Sequence, residues 1–167
     1  MKTLFLICAL LLAAPAVQAQ AIERVEVTEF GLYERGEVIG ELPPSPNGIG
    51  RSEVAGAKHL RTTRRVPARL GTSFGFRYRV VGKPEGEISS LTQVLILPPA
   101  GMQSAISGKT VTRDFFPVPA RIGEEDFMMM SFDYRWELVP GIWTVQLWSG
   151  QRKLAEQSFE IFVPPSV

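Results

Sequence analysis

An all-β sandwich of about seven to eight strands, with no substantial helix once a leader is removed, is the fold this sequence predicts. Three observations predict it. Short runs with an apolar residue at every second position follow one another along the chain. Clusters of Pro and Gly separate those runs. Beyond the N-terminal leader, no stretch carries the i, i+3, i+4 spacing of an amphipathic helix.

The leader comes first. Lys2 supplies a positive start, Leu4 to Ala14 an apolar run, and Val17, Ala19 and Ala21 the small residues of a cleavage site. The run is too short for a membrane span of roughly 20 residues, so residues 1–19 read as a secretory signal peptide, with cleavage after Ala21 as the alternative. Residues 20–167 then form one domain, and the expected location is periplasmic or secreted. Cys8, the one cysteine, leaves with the leader, which excludes disulfides, thiolate nucleophiles and Cys-ligated metals. Lys2 leaves too, so the 18 basic residues become 17 against 17 acidic. A balanced chain argues against nucleic acid or an anionic membrane surface as the main partner. No second apolar segment is long enough to span a bilayer.

In the first strand Val25 and Val27 face inward, and Phe30 and Leu32 continue on the other parity. That switch predicts a β-bulge or a change of sheet near Glu29. Leu42 to Gly50, LPPSPNGIG, cannot be regular structure because Pro removes donors and Gly removes restraint; it reads as a mobile connecting loop. Lys58 to Arg69, KHLRTTRRVPAR, is the densest basic stretch and suits a solvated edge strand, where charge blocks sheet-to-sheet association. Phe74, Phe76, Tyr78 and Val80 alternate inward in the clearest strand of the first half. Leu91 to Leu97 is apolar on both parities at its end, which suits the centre of a sheet. Thr110 to Phe116 offers Thr112, Asp114 and Phe116 on one face, and Pro117 and Pro119 should stop it.

The most informative stretch is Met128 to Val163. Met128, Met130, Phe132, Tyr134, Trp136 and Leu138 recur at every second residue, which predicts one long strand ending at the turn Val139-Pro140-Gly141-Ile142. Trp143, Val145 and Leu147 then point inward. Gly150-Gln151 suits a two-residue hairpin loop, which sets Leu147 opposite Leu154. A bulge between Ala155 and Ser158 would bring Phe159 opposite Trp143.

Chemistry is sparse. His59 is the one histidine and no serine sits in a nucleophile elbow, so no catalytic residue is assigned. Zinc would have to be built from one imidazole and carboxylates alone. Copper would need Met128, Met129 and Met130 to converge, whereas alternation sends the first and third inward and the second outward. Glu124, Glu125 and Asp126 lack the alternating oxygen ligands of a calcium loop. No metal and no cofactor is expected. Arg61, Arg64, Arg65 and Arg69 are candidate contacts for an anion or polysaccharide. Trp148 is the large aromatic that parity sends outward, available to a sugar or protein partner unless Lys153, opposite it, covers the ring.

Leu138-Val-Pro-Gly-Ile-Trp143, with alternating Val145 and Leu147 after it, resembles the corner between two sheets in immunoglobulin and fibronectin type III domains. Trp143 stands where tyrosine is usual there, so the hydroxyl-to-backbone bond of a tyrosine corner is not implied. VEVTEFGLYE, LGTSFGFRYRV and PGIWTVQLWSGQRKLAEQSFEI together resemble the bacterial domain-of-unknown-function family 3859. The resemblance covers nearly all of the chain after the leader and implies an immunoglobulin-like exported domain with no assigned activity. The expected function is that of an exported, non-catalytic binding or structural module for a protein, glycan or envelope component. A periplasmic carrier of a small ligand or of copper is the alternative, and an unrecognised hydrolase the third reading.

Overall fold

The computed structural model describes residues 21–165, and the stretch read as a signal peptide lies outside the described residues. In chain order, β1 (Ala21–Glu34) leads into a hairpin of β2 (Glu37–Leu42) and β3 (Arg51–Ala55), then two short strands, β4 (Lys58–Arg61) and β5 (Arg65–Pro67). Next come β6 (Ser73–Lys83), β7 (Ile88–Ile96), a small hairpin of β8 (Met102–Gln103) and β9 (Thr110–Val111), and β10 (Arg113–Arg121). β11 (Glu125–Ser131), a single 3₁₀ turn (Arg135–Glu137), β12 (Gly141–Ser149) and β13 (Arg152–Phe162) complete the chain.

Two sheets face each other. One is ordered β11-β6-β1-β4, the other β10-β7-β12-β13-β5, and all pairs are antiparallel except β13 with β5. The sandwich predicted from strand periodicity is therefore present. Its sheets hold nine strands, because the basic stretch supplies two edge strands, one to each sheet, where one was expected. β7 is central, between β10 and β12, as its two-sided apolar pattern requires.

Between the sheets, Phe74 is surrounded edge-on or tilted by Phe132, Trp143 and Phe159 at ring distances of 5.2–6.0 Å, and all four are buried. The bulge expected near Glu29 occurs in β1, whose register against β6 shifts between Val27 and Glu29. The corner at Pro140 carries the chain from β11 in one sheet to β12 in the other. Trp143 fastens that corner by donating its indole N–H to the Val139 carbonyl at 2.9 Å, a tie to the backbone made without a tyrosine hydroxyl.

Four expectations need correction. The strand predicted from Met128 to Leu138 ends at Ser131. The Glu137 carboxylate takes the Asp133 and Tyr134 N–H groups at 2.5 and 2.8 Å and turns the backbone away, leaving Tyr134 exposed and stacked on Trp136 at 5.5 Å. Trp143 does face Phe159, but Leu147 faces Ala155, because the hairpin's bulge falls at Leu154, one residue before the expected range. Pro117 and Pro119 do not stop β10, which runs through both. It is an edge strand, and prolines two residues apart put both missing N–H groups on its unpaired side. The loop after Leu42 is tied to neighbouring segments by hydrogen bonds where a free connector was expected. Ser104 and Ser107 donate hydroxyl bonds to the Gly48 and Asn47 carbonyls at 2.6 and 3.1 Å, and Ser45 Oγ accepts the Ile49 N–H at 3.0 Å.

Candidate functional site: a cleft at the open edge

On one side of the sandwich the sheets end on β10 and β11, and the gap between these strands is flanked by the β2–β3 hairpin. A cleft of about 770 Å³ opens there, well within the range of small-ligand sites. Its apolar floor comes from the core itself, with Leu95, Met102, Met128 and Trp143 among its lining. Polar groups rim it.

Asp114 is the most telling of these. It stands opposite Leu95 in the β10–β7 register and is fully buried, with 0% exposure. Asn47, delivered by the pinned loop, donates to its Oδ1 at 3.1 Å and to the Arg113 carbonyl at 3.0 Å. Oδ2 has no partner among the described residues. A buried carboxylate oxygen left unpaired costs about 1–3 kcal/mol, or more when charged, so the fold holds an acceptor it does not itself use. Arg51 lies nearby with its guanidinium 3.8 Å from the centre of the Phe116 ring. Burial lowers the Arg51 pKa, and the charge of Asp114 opposes that shift.

At another part of the same lining, Arg35 donates through one terminal nitrogen to Asp133 at 2.6 Å. Its buried Nε is without a partner among the described residues. Glu137, held by its two backbone donors, has its pKa raised chiefly by burial. Tyr78 donates to Asp126 at 3.2 Å, and burial followed by the Asp126 charge pushes its phenol above the ordinary value. That shift works against a phenolate nucleophile. Beside its apolar floor, the lining thus holds one buried side-chain acceptor and one buried side-chain donor that are unpaired among the described residues, features that suit a binding site.

Of the residues singled out from the sequence, Asp126, Met128, Met129 and Met130 line the cleft, whereas the candidate partner contacts lie elsewhere. Arg64 sits over the Phe30 ring at 4.6 Å, against β1. Arg65 sits over Phe162 at 4.7 Å and pairs with Glu160 at 3.3 Å, against β13. The two neighbours therefore diverge to opposite sheets, while Arg61 and Arg69 are exposed. Trp148 helps line a shallower groove of about 510 Å³ on the outer face of the second sheet, with Phe115 and Val94. Lys153 does not cover its ring: the ammonium goes to Glu156 at 2.7 Å, and the indole N–H goes to Gln146 at 2.9 Å. His59 is half-buried, 3.4 Å from Glu29 and edge-on to Tyr33. Glu29 also receives the Tyr33 hydroxyl at 3.1 Å and Arg77 Nε at 3.2 Å, so this cluster is closed upon itself. Among the described residues, no group of three or more His, Cys, Asp or Glu side chains is placed to hold a metal.

Asp114, Arg35, Arg51 and Asn47 escaped the sequence reading. The one available signal was parity, which set Asp114 on the same strand face as Phe116, an odd place for a lone carboxylate.

Two facing, mostly antiparallel sheets joined by a Pro-Gly corner are the architecture of an immunoglobulin-like domain. A model of the family described as Domain of unknown function (DUF3859) matches residues 22–161, and the chain belongs to that family. It is similar to the crystal structure of an immunoglobulin-like protein from Pseudomonas aeruginosa, at 28% identity and a TM-score of 0.57, with 85% of this chain and 99% of that one covered. No curated protein matches the chain.

Proposed function

We propose that this domain is exported and works as a non-catalytic binding module, with the cleft between the β10 and β11 edges as its binding site. The observation that carries the reading is Asp114, a fully buried carboxylate lining the cleft with one oxygen unpaired among the described residues. Natural folds seldom tolerate such a group without a use for it. The partner is a protein, glycan or other component of the envelope. The isotope-labelled domain is titrated with protein, glycan and lipid fractions of a periplasmic and envelope extract, and its amide shifts are followed. Shifts are expected to cluster at Arg51, Asp114 and Met129. Silence in every fraction, combined with a measured turnover, would sink the reading.

A second reading uses the outer groove. Trp148, Phe115 and Val94 form an apolar strip rimmed by Arg113 and Gln151, and Phe115 is 49% exposed. That chemistry suits a sugar face or an apolar protein contact. Shifts confined to Trp148 and Phe115 in the same titration would favour it over the cleft.

A further inference from the structure

The cleft differs from an ordinary small-molecule pocket in what bounds it. β11 pairs only with β6, β3 only with β2, and β10 only with β7, so each of the three strands has a second edge without a strand partner among the described residues. β11 contributes every residue from Asp126 to Ser131 to the lining and β3 every residue from Arg51 to Val54, as expected where a strand offers its edge as well as a face.

The three edges are not equivalent. Pro117 and Pro119 deprive β10 of two donors on its open side. β11 has no such block, and its hydrogen-bond phase can be assigned. Just beyond its two ends, the Val80 N–H bonds to the Glu124 carbonyl at 3.4 Å and the Phe132 N–H to the Thr72 carbonyl at 3.0 Å. With the register of the pair, these bonds put the even-numbered residues of β11 in hydrogen-bonded pairs with β6. Antiparallel alternation then turns the N–H and C=O of Glu125, Phe127, Met129 and Ser131 the other way. Phe127 fits this phase, since its N–H is taken by the Asp126 carboxylate at 2.7 Å. Met129, further along the same edge, presents a donor and an acceptor that meet no partner among the described residues.

Charge narrows the occupant further. The lining holds two arginines against five carboxylates, and Asp114 Oδ2 has no donor among the described residues. A cationic donor meets both conditions. The edge from Phe127 to Ser131 spans about 13 Å at the rise of an extended chain, with the apolar floor beside it.

Resting on the reading that the cleft is the binding site, we propose that its ligand is an extended segment of another polypeptide. The segment adds as a strand to the β11 edge at Met129, turns alternate apolar residues toward the core, and offers a lysine or arginine to Asp114. This is recognition by strand addition, in which the backbone supplies affinity and the side-chain pockets supply selectivity.

The test pans a random dodecapeptide display library against the folded domain, and affinities of the resulting synthetic peptides are measured by calorimetry. Binders with alternating apolar residues and one basic residue are expected. Met129→Pro removes the backbone donor and should weaken them about tenfold or more, whereas Met129→Leu should leave them within about twofold. Asp114→Asn should weaken the parent peptide about tenfold, yet change little for the same peptide with norleucine in place of its basic residue. An unaltered amide spectrum outside the cleft establishes that each variant is folded, and an N-methylated peptide, which removes the matching donor on the ligand side, repeats the backbone test without any protein variant. Full affinity for Met129→Pro and for N-methylated peptides overturns the proposal, as does a panning that yields no binder. Decylamine serves as a small-amine control: shifts of the cleft amides with decylamine, but with no peptide, would overturn the polypeptide ligand while leaving the cleft as a binding site. Peptides whose shifts map only to Trp148 and Phe115 would overturn both.

Discussion

Along one side of the sandwich the sheets end on β4 and β5, along the other on β10 and β11, and the two sides treat their edges in opposite ways. On the first, the edge strands are four and three residues long, and arginines lie over the aromatics beside them, Arg64 on Phe30 and Arg65 on Phe162. Short strands and charge are the usual protection against unwanted pairing. On the second, the strands are nine and seven residues long, and the cleft beside them is lined by a carboxylate oxygen and a guanidinium nitrogen that are unpaired among the described residues. The stretch densest in positive charge therefore seals the molecule, whereas the cleft lies on the opposite side, where charges of both signs line an apolar floor.

What the two sides share is the aromatic core, so the largest effect should come from breaking both at once. Phe74 is fully buried and touches Phe132, Trp143 and Phe159. Phe74→Ala should cost about 3–5 kcal/mol, read as a lower urea midpoint and as amide exchange accelerated at both edges together.

Each edge is also joined to its sheet through a glycine, which allows the two to be loosened separately. A Cβ on Gly75 would fall 1.9 Å from the Met128 carbonyl oxygen in β11, and one on Gly31 would fall 1.9 Å from the Arg61 oxygen at β4. Gly75→Ala and Gly31→Ala should each cost about 1–3 kcal/mol. Gly31→Ala should cost the more, since its φ of 144° is also one that side-chain-bearing residues rarely adopt. Amide exchange should locate the damage in β11 for the first variant and in β4 for the second. If Gly75→Ala left β11 protected, the picture of an edge tightly fitted to β6 would fail.

Much of the framework was legible from the sequence because side-chain parity and backbone pairing agree there. The alternation of Phe74 to Val80, the central place of Leu91 to Leu97, the sheet-crossing corner at Pro140 and the pairing of Trp143 with Phe159 all follow from it. Parity misled where side chains kept alternating after the backbone had left the sheet, as at Tyr134, which is exposed. It also missed Leu154, since a bulge costs one residue and its position depends on the partner strand. The cleft was the least legible part. Asp114 stands out as a candidate only because Asn47, on a loop 67 residues earlier, satisfies one oxygen and the other has no partner among the described residues. The free edge of β11 is a property of sheet order, and no local pattern encodes that.

The sealed edge should respond weakly to substitution. Arg65 and Glu160 are an exposed pair, 66% and 50% accessible, so Arg65→Ala and Arg64→Ala should each cost under about 1 kcal/mol. Because the two arginines cover different sheets, their effects should add in the double variant. A cost of several kcal/mol in urea unfolding would mean that this edge is a structural centre and not a seal.

The smallest effect concerns pH and distinguishes a half-buried carboxylate of the open edge from a well-paired one elsewhere. Burial, the largest influence, raises the pKa of Glu137 above its ordinary 4.5. Its protonated form is therefore favoured by folding, so its contribution is fully present below 4.5 and is lost as pH rises through the raised value. Glu156 is the reverse. Hydrogen bonds from Lys153 and Gln146 lower its pKa, and its contribution is present above 4.5 and is lost as pH falls through the lowered value, reduced by solvent because the side chain is 41% exposed. Glu137→Gln should flatten the stability profile just above pH 4.5 and leave the acid limb intact, and Glu156→Gln should flatten the acid limb alone. Urea midpoints taken across both windows separate the two, and a Glu137→Gln profile parallel to that of the parent would mean that this carboxylate titrates as a solvated group and that the open edge is wetter than its geometry implies.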